Sequence, residues 1–166
     1  MDTIENFIGG RWLPARDGRT QEQHNPADLG EITARFQRSD RADAVDAIDA
    51  ATAAFPAWSG ATMRERARVL TTVVARMRAS RDDIARSLSH ENGKTLREAL
   101  GEVDAAAAEM EWQIGEGLRL PGEITPSAHS GVLAYVTRRP LGVVSVICPW
   151  NFPFNVPARK CTPALM

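Results

Sequence analysis

The chain has 166 residues, a formal net charge of −1, 43% hydrophobic and 25% charged residues, which fits one globular domain or part of a larger one. The near-neutral balance, without a Lys/Arg block, excludes an electrostatic nucleic-acid binder, and no stretch approaches the roughly 18 apolar residues of a membrane span. Cys148 and Cys161 lie thirteen positions apart with no C-x-x-C, and His24, His90 and His129 are scattered, so neither a metal site nor a disulfide framework is expected.

The start, MDTIENFIGG, does not read as a signal peptide, and the expected location is cytoplasmic. NFIGGRWLPA sets two short apolar runs about Gly9-Gly10, a hairpin signal. HNPADLGEITARF adds an Asn-Pro turn and the alternating run Ile32, Ala34, Phe36. Ser39 or Asp40 can cap a helix through about Phe55, with Val45, Ile48, Ala51 and Phe55 on one face and Pro56 near its end. Thr62-x-x-Glu65 is a capping box, opening a helix striped by Leu70, Val73, Val74 and Met77. Ser80-x-x-Asp83 resembles another start, leading to Ile84 and Leu88 and stopping at Asn92-Gly93. Thr95-x-x-Glu98 is a second full capping box. Leu96, Leu100, Val103, Ala107, Met110 and Ile114 continue it at helical spacing toward Leu118, and the small residues Ala105 to Ala108 let a neighbour approach closely. Gly115, Gly117, Pro121 and Gly122 are expected to break this pattern. From Glu123 to Pro140 strand signals appear and end on two charges, as in an arm leaving the domain body.

LGVVSVI, Leu141 to Ile147, reads as a buried strand: short, β-branched and without polar alternation. CPWNFPFN follows. Pro149 cannot donate to a ladder and ends the strand, and Pro153 stiffens the turn four residues later. In open α/β sheets that end of a strand is where ligands bind. One reading is a rigid connector with a half-buried Trp. The other is a ligand-facing turn, on which Asn151 offers a neutral N–H₂ donor to an oxyanion and Trp150 a flat apolar surface. If a helix starts near Asn151, then Asn151, Asn155 and Arg159 share a face, with Arg159 about 12 Å along the axis. Its guanidinium can meet the far end of a short acidic ligand, or it is an ordinary ion-paired surface arginine. Neither G-x-G-x-x-G nor G-x-x-x-x-G-K-[ST] occurs, so these residues offer no common phosphate loop.

RPLGVVSVICPWNFPFNVPARKCTPAL, Arg139 to Leu165, resembles the signature around the PWNFP motif of the NAD(P)-dependent aldehyde dehydrogenase superfamily. FIGGRWLPA, NPADLGEI, AAFPAWS, ERARVL, HENGKTLREALGEV and KCTPAL fall in that family's order, so the resemblance spans essentially the whole chain. It implies an α/β fold, the N-terminal part of a Rossmann-like cofactor domain with a projecting β oligomerisation arm. The implied divisions are residues 1–121 (cofactor domain), 122–140 (arm) and 141–166 (first parallel strand, PWNFP turn and following helix), with the catalytic domain absent. It also implies oxidation of an aldehyde to a carboxylic acid through a cysteine thiohemiacetal and thioester, with NAD or NADP as cofactor. Asn151 matches the oxyanion asparagine; Ile147, Cys148, Pro149 and Trp150 match positions on the nicotinamide side of the cofactor site. The nucleophilic Cys, the base Glu and the ribose-contacting Lys match nothing in these residues, so the 166-residue chain alone is expected to be inactive. Arg159 and EGLRLPGEITPS resemble the semialdehyde branch, whose substrates carry a distal carboxylate. The expected partners are a small aldehyde and further copies of the chain, as a dimer or tetramer. Two alternatives stay open: a non-catalytic binding or assembly module, and a CoA-acylating relative.

Overall fold

The computed structural model describes residues 3–166. The first two residues of the 1–121 segment, which also open the stretch read as lacking a signal peptide, lie outside it.

Gly9 and Gly10 take φ of 60° and 78°, the left-handed region that a tight hairpin turn needs. They join β2 (Asn6–Ile8) to the antiparallel β3 (Arg11–Leu13), where Phe7 pairs with Trp12. β1 (Thr3–Ile4), β4 (Thr20–Asn25) and β5 (Asp28–Gln37) form a second sheet in the order β1-β5-β4, with β1 parallel and β4 antiparallel to β5. The Asn-Pro turn joins β4 to β5, and Asn25 Oδ1 accepts the Ala27 N–H at 2.9 Å.

Asp40 caps α1 (Arg41–Gly60) in a capping box with Asp43, one residue type away from the usual Glu. Asp43 is buried, and its other oxygen accepts the Arg16 N–H at 2.9 Å, so one carboxylate ties the helix start to the hairpin region. The helix passes through Pro56 to Gly60 instead of stopping near Phe55. Val45 and Ile48, expected to face a core, are 43% and 55% exposed among the described residues.

α2 (Met63–Ala79) and α4 (Leu96–Leu118) open with the two expected capping boxes, Thr62/Glu65 and Thr95/Glu98. α3 (Arg81–Asn92) does not. Ser80 has φ −103° and ψ 18°, not the extended backbone of a cap, because its N–H closes α2 onto Arg76 and Arg78. Gly115 and Gly117 do not end α4, whose stripe still buries Ile114. Leu70, Val74 and Met77 of α2 pack on Ala106, Ala107, Met110 and Ile114 of α4. Ala85 and Leu88 of α3 pack on Ala99 and Val103. Val73 lies off this seam and is 40% exposed. Ala106 and Ala107 are 0% and 1% exposed, and small side chains there let the helices close together.

β6 (Glu123–Thr125) and β7 (Ala134–Val136) make an antiparallel hairpin with Ile124, Leu133 and Tyr135 exposed. The run Leu141 to Ile147 enters no ladder among the described residues, so the expected parallel strand is not formed. Leu141 is 97% and Ile147 83% exposed, and no strand lies beside the run to accept its hydrogen bonds or cover its faces. The Rossmann-like parallel sheet implied by the resemblance is likewise not formed within these residues. α5 (Asn155–Leu165) closes the described chain against α4. No helix among the described residues is long and apolar enough to cross a membrane.

Candidate functional site: the clamped PWNFP turn

Residues 150–154 form the turn between the run 141–149 and α5. It is fastened at its inner end by Phe154, which packs against both helix clusters. α5 starts at Asn155, four residues later than a start at Asn151 would give, so Asn151 does not share a helical face with Arg159. Asn155 turns inward instead; its Oδ1 is buried without a hydrogen-bond partner among the described residues. Pro157 sits in the first turn, where a missing N–H costs little. Pro163 cannot donate to the carbonyl of Arg159, and Gln113 Nε2 does so in its place at 3.1 Å.

The turn is held through its backbone. Asn92 Nδ2 donates to the Trp150 carbonyl at 3.1 Å, and Lys94 Nζ donates to the Asn151 carbonyl, also at 3.1 Å. Lys94 Nζ bonds Glu102 Oε2 at 2.5 Å and lies 4.9 Å from the centroid of the Phe152 ring. Glu102 Oε1 accepts the N–H groups of Phe154 at 2.8 Å and Asn155 at 3.0 Å, two of the orphan donors at the start of α5. The side chains of Lys94 and Glu102 are 12% and 1% exposed. Between the two donors stands Gly93, at φ +77°, where an added Cβ would come within 3.0 Å of Pro26. Only glycine fits that position comfortably, and it lets Asn92 and Lys94 both reach the turn.

With the backbone gripped, the side chains of Trp150 and Asn151 are left outward. Asn151 is exposed, and no hydrogen bond holds its carboxamide among the described residues. Trp150 is 82% exposed, and Ile147 and Pro149 are exposed beside it in sequence. Cys148 is half-buried and free. The Ile147 carbonyl accepts Lys160 Nζ at 2.8 Å, which gives that lysine a structural bond. Burial pushes the Cys161 thiol above its ordinary value, and neighbouring Cys148 adds in the same direction. Cys161 is thereby kept from the thiolate form a nucleophile needs. Arg159 is exposed and lies 3.5 Å from Glu109 Oε1. The expected site residues Ile147 to Asn151 therefore form one contiguous ledge, while Arg159 stands on α5 with an acidic partner of its own. Among the described residues, no group of three or more His, Cys, Asp or Glu is placed to hold a metal ion.

Asn92, Lys94 and Glu102 join the site although no motif in the sequence assigns them to it. Glu102 was visible as a charge on the buried stripe of Ala99, Val103, Ala106 and Met110, where an unpaired carboxylate is not tolerated. Lys94 is one of only two lysines in the chain.

An exposed Asn on a turn whose backbone is locked by buried charge has its Cα and the direction of its Cα–Cβ bond fixed, with the carboxamide left unengaged. The aldehyde dehydrogenase family model matches residues 12–166. The chain belongs to the aldehyde dehydrogenase family. The α-ketoglutaric semialdehyde dehydrogenase of Bacillus subtilis is 39% identical over 166 residues, 100% of this chain and 34% of that protein. The NADP⁺ succinate-semialdehyde dehydrogenase of Escherichia coli is 40% identical over 159 residues, 96% of this chain and 33% of that protein. A crystal structure of an E. coli NADP-dependent enzyme superposes with a TM-score of 0.95 at 37% identity, over 98% of this chain and 34% of that one. The chain thus spans about a third of the length of these relatives, and its mixed α/β fold matches the N-terminal part of aldehyde dehydrogenase structures.

Proposed function

We propose that this chain is the oxyanion-bearing part of an NAD(P)-dependent aldehyde dehydrogenase that oxidises a short semialdehyde acid to a carboxylic acid. The observation that carries the proposal is the unengaged carboxamide of Asn151 on a turn fixed through its own carbonyl. A neutral N–H₂ donor stabilises an aldehyde oxygen as it gains charge, and it adds no proton of its own to titrate.

The cofactor supplies hydride acceptance when bound. The ledge suits a nicotinamide: Ile147 and Trp150 offer 83% and 82% exposed apolar side chains, and Pro149 keeps the backbone between them stiff. Ile147, Cys148, Pro149 and Trp150 would hold that ring, and Cys148 is given this binding role and not the attack on substrate. The names of the two E. coli relatives carry NADP, and either NAD or NADP fits this reading.

Semialdehyde acids are the substrates named for the B. subtilis and E. coli relatives, and a distal carboxylate is the part a cation can select. Arg159 is the cation we assign to it. The substrate carboxylate would displace half-buried Glu109 from a loose 3.5 Å pair with an exposed arginine, and surface pairs contribute only about 0–1 kcal/mol. In this proposal the nucleophilic cysteine and general base come from outside these 166 residues, so the chain alone forms no NAD(P)H. The complete enzyme is cytoplasmic and assembles as a dimer or tetramer through the β6–β7 hairpin, whose Ile124, Leu133 and Tyr135 are 79%, 70% and 66% exposed.

The test compares kcat/KM for succinic semialdehyde and an uncharged aldehyde of equal length in the complete enzyme and its Arg159→Ala variant. Preference for the acid in the wild type, lost in the variant, is expected. A preference that survives the variant removes Arg159 from substrate recognition, and no NAD(P)H from either aldehyde removes the activity.

A further inference from the structure

We propose that the buried Lys94–Glu102 pair is a positioning device for Asn151, fixing from behind the turn the backbone from which its carboxamide reaches out. This inference rests on the reading of Asn151 as the oxyanion donor.

The two Glu102 oxygens divide between tasks. Oε1 accepts from Phe154 and Asn155 on the α5 side of the turn, and Oε2 holds the ammonium of Lys94. Lys94 in turn holds the Asn151 carbonyl, and Asn92 holds that of Trp150. The peptide groups on both sides of Asn151 are therefore anchored to the last residue of α3 and to the loop that follows it, and Glu102 ties that loop to α4. No side chain of the turn takes part in this anchoring by hydrogen bond, so Asn151 keeps its own donor free.

Stability alone does not explain the choice of charges. A buried ion pair loses hydration that its mutual attraction barely repays, and a well-packed apolar pair often does as well or better. An apolar pair cannot hold two N–H groups and a carbonyl of the turn. That is the work left for Lys94 and Glu102. Catalytic donors have to be kept within roughly 0.5 Å of their productive place, and a displacement of about 1 Å can lower turnover on the order of 10²-fold.

The experiment uses three variants of the complete enzyme: Lys94→Met, Glu102→Gln and the two combined. Each is assayed with succinic semialdehyde and NADP⁺, and each is melted. Either single change leaves the remaining partner without its counter-charge in a buried place. The combination is neutral, and its carboxamide still supplies an oxygen to Phe154 and Asn155. We expect the double variant to recover Tm to within about 3 °C of wild type. Its kcat should stay about 10- to 100-fold low, since the Asn151 carbonyl is released. KM for both substrates should remain within about threefold. If kcat recovers together with Tm, or KM alone changes, the pair is structural and the inference is wrong. A double variant that fails to recover Tm, and melts no higher than either single one, overturns it as well, because the charges would then be irreplaceable for folding. A wild type that forms no NAD(P)H sinks the functional reading first, which keeps the two failures apart.

Discussion

Replacing Glu102 by Ala is the perturbation whose cost the geometry sets most directly. The side chain is 1% exposed and makes three hydrogen bonds, at 2.5 Å to Lys94 Nζ, 2.8 Å to Phe154 N and 3.0 Å to Asn155 N. Its removal leaves an ammonium that is 12% exposed without a counter-charge and two amide groups without an acceptor. Breaking a buried pair from one side costs about 3–5 kcal/mol. Each orphaned N–H would add about 1–3 kcal/mol, nearly all of which is recovered as water enters the vacated polar space. A local loss of about 4 kcal/mol results, which is roughly a 10³-fold change in the opening equilibrium of the start of α5. Amide hydrogen exchange of peptides spanning residues 150–160 in the complete protein reads that opening. We expect protection there to fall by about two to three powers of ten while the α2 amides change little. Glu102→Gln, which keeps the shape and one acceptor, should lose less. A change under about tenfold at residues 150–160, or an equal change across α2, would refute the reasoning.

Two further outcomes follow from the helices. Met110, 5% exposed between α2 and α4, should cost about 2–5 kcal/mol on replacement by Ala, read as a lowered unfolding midpoint; a cost under 1 kcal/mol contradicts the packing described. Glu65 and Glu98 are held below the ordinary carboxyl range, the first mainly by the Thr62 N–H and the second mainly by the Thr95 hydroxyl. A carboxyl whose folded value is depressed stabilises above its unfolded value, near 4.3, and loses that contribution as pH falls through the folded one. Thermal stability should therefore drop below about pH 4.3, and Glu65→Gln with Glu98→Gln should flatten that drop. An unchanged acid slope would show that the caps are not its source.

How much of this was legible in the residues depends on range. The Thr62/Glu65 and Thr95/Glu98 boxes and the Gly9-Gly10 hairpin are local, settled within three residues, and each formed as read. Ser80 failed as a cap because the preceding helix claims its backbone, a conflict that the pattern S-x-x-D cannot reveal. Leu141 to Ile147 carry the composition of a buried strand, but composition cannot supply the neighbouring strands, and the run joins no ladder among the described residues and is largely exposed. The site divides in the same way. Asn151 and its flanking prolines announce a stiff turn from their own spacing, but leave open whether it is a rigid connector or faces a ligand. The clamp beneath joins Lys94 and Glu102 to residues more than 50 positions away, and only folding brings them together. Arg159 shows the opposite error: regular spacing from Asn151 suggested a shared face, and the late start of α5 removed it.

The turnover of Asn151→Ala in the complete enzyme bears most directly on the account. The carboxamide is exposed and its removal breaks no bond seen among the described residues, so the folding stability should hold within about 0.5 kcal/mol of wild type. With succinic semialdehyde and NADP⁺, kcat should fall by about 10²–10³, the usual effect of losing one oxyanion donor. A variant that folds normally and turns over as fast as wild type would leave position 151 as nothing more than a bend.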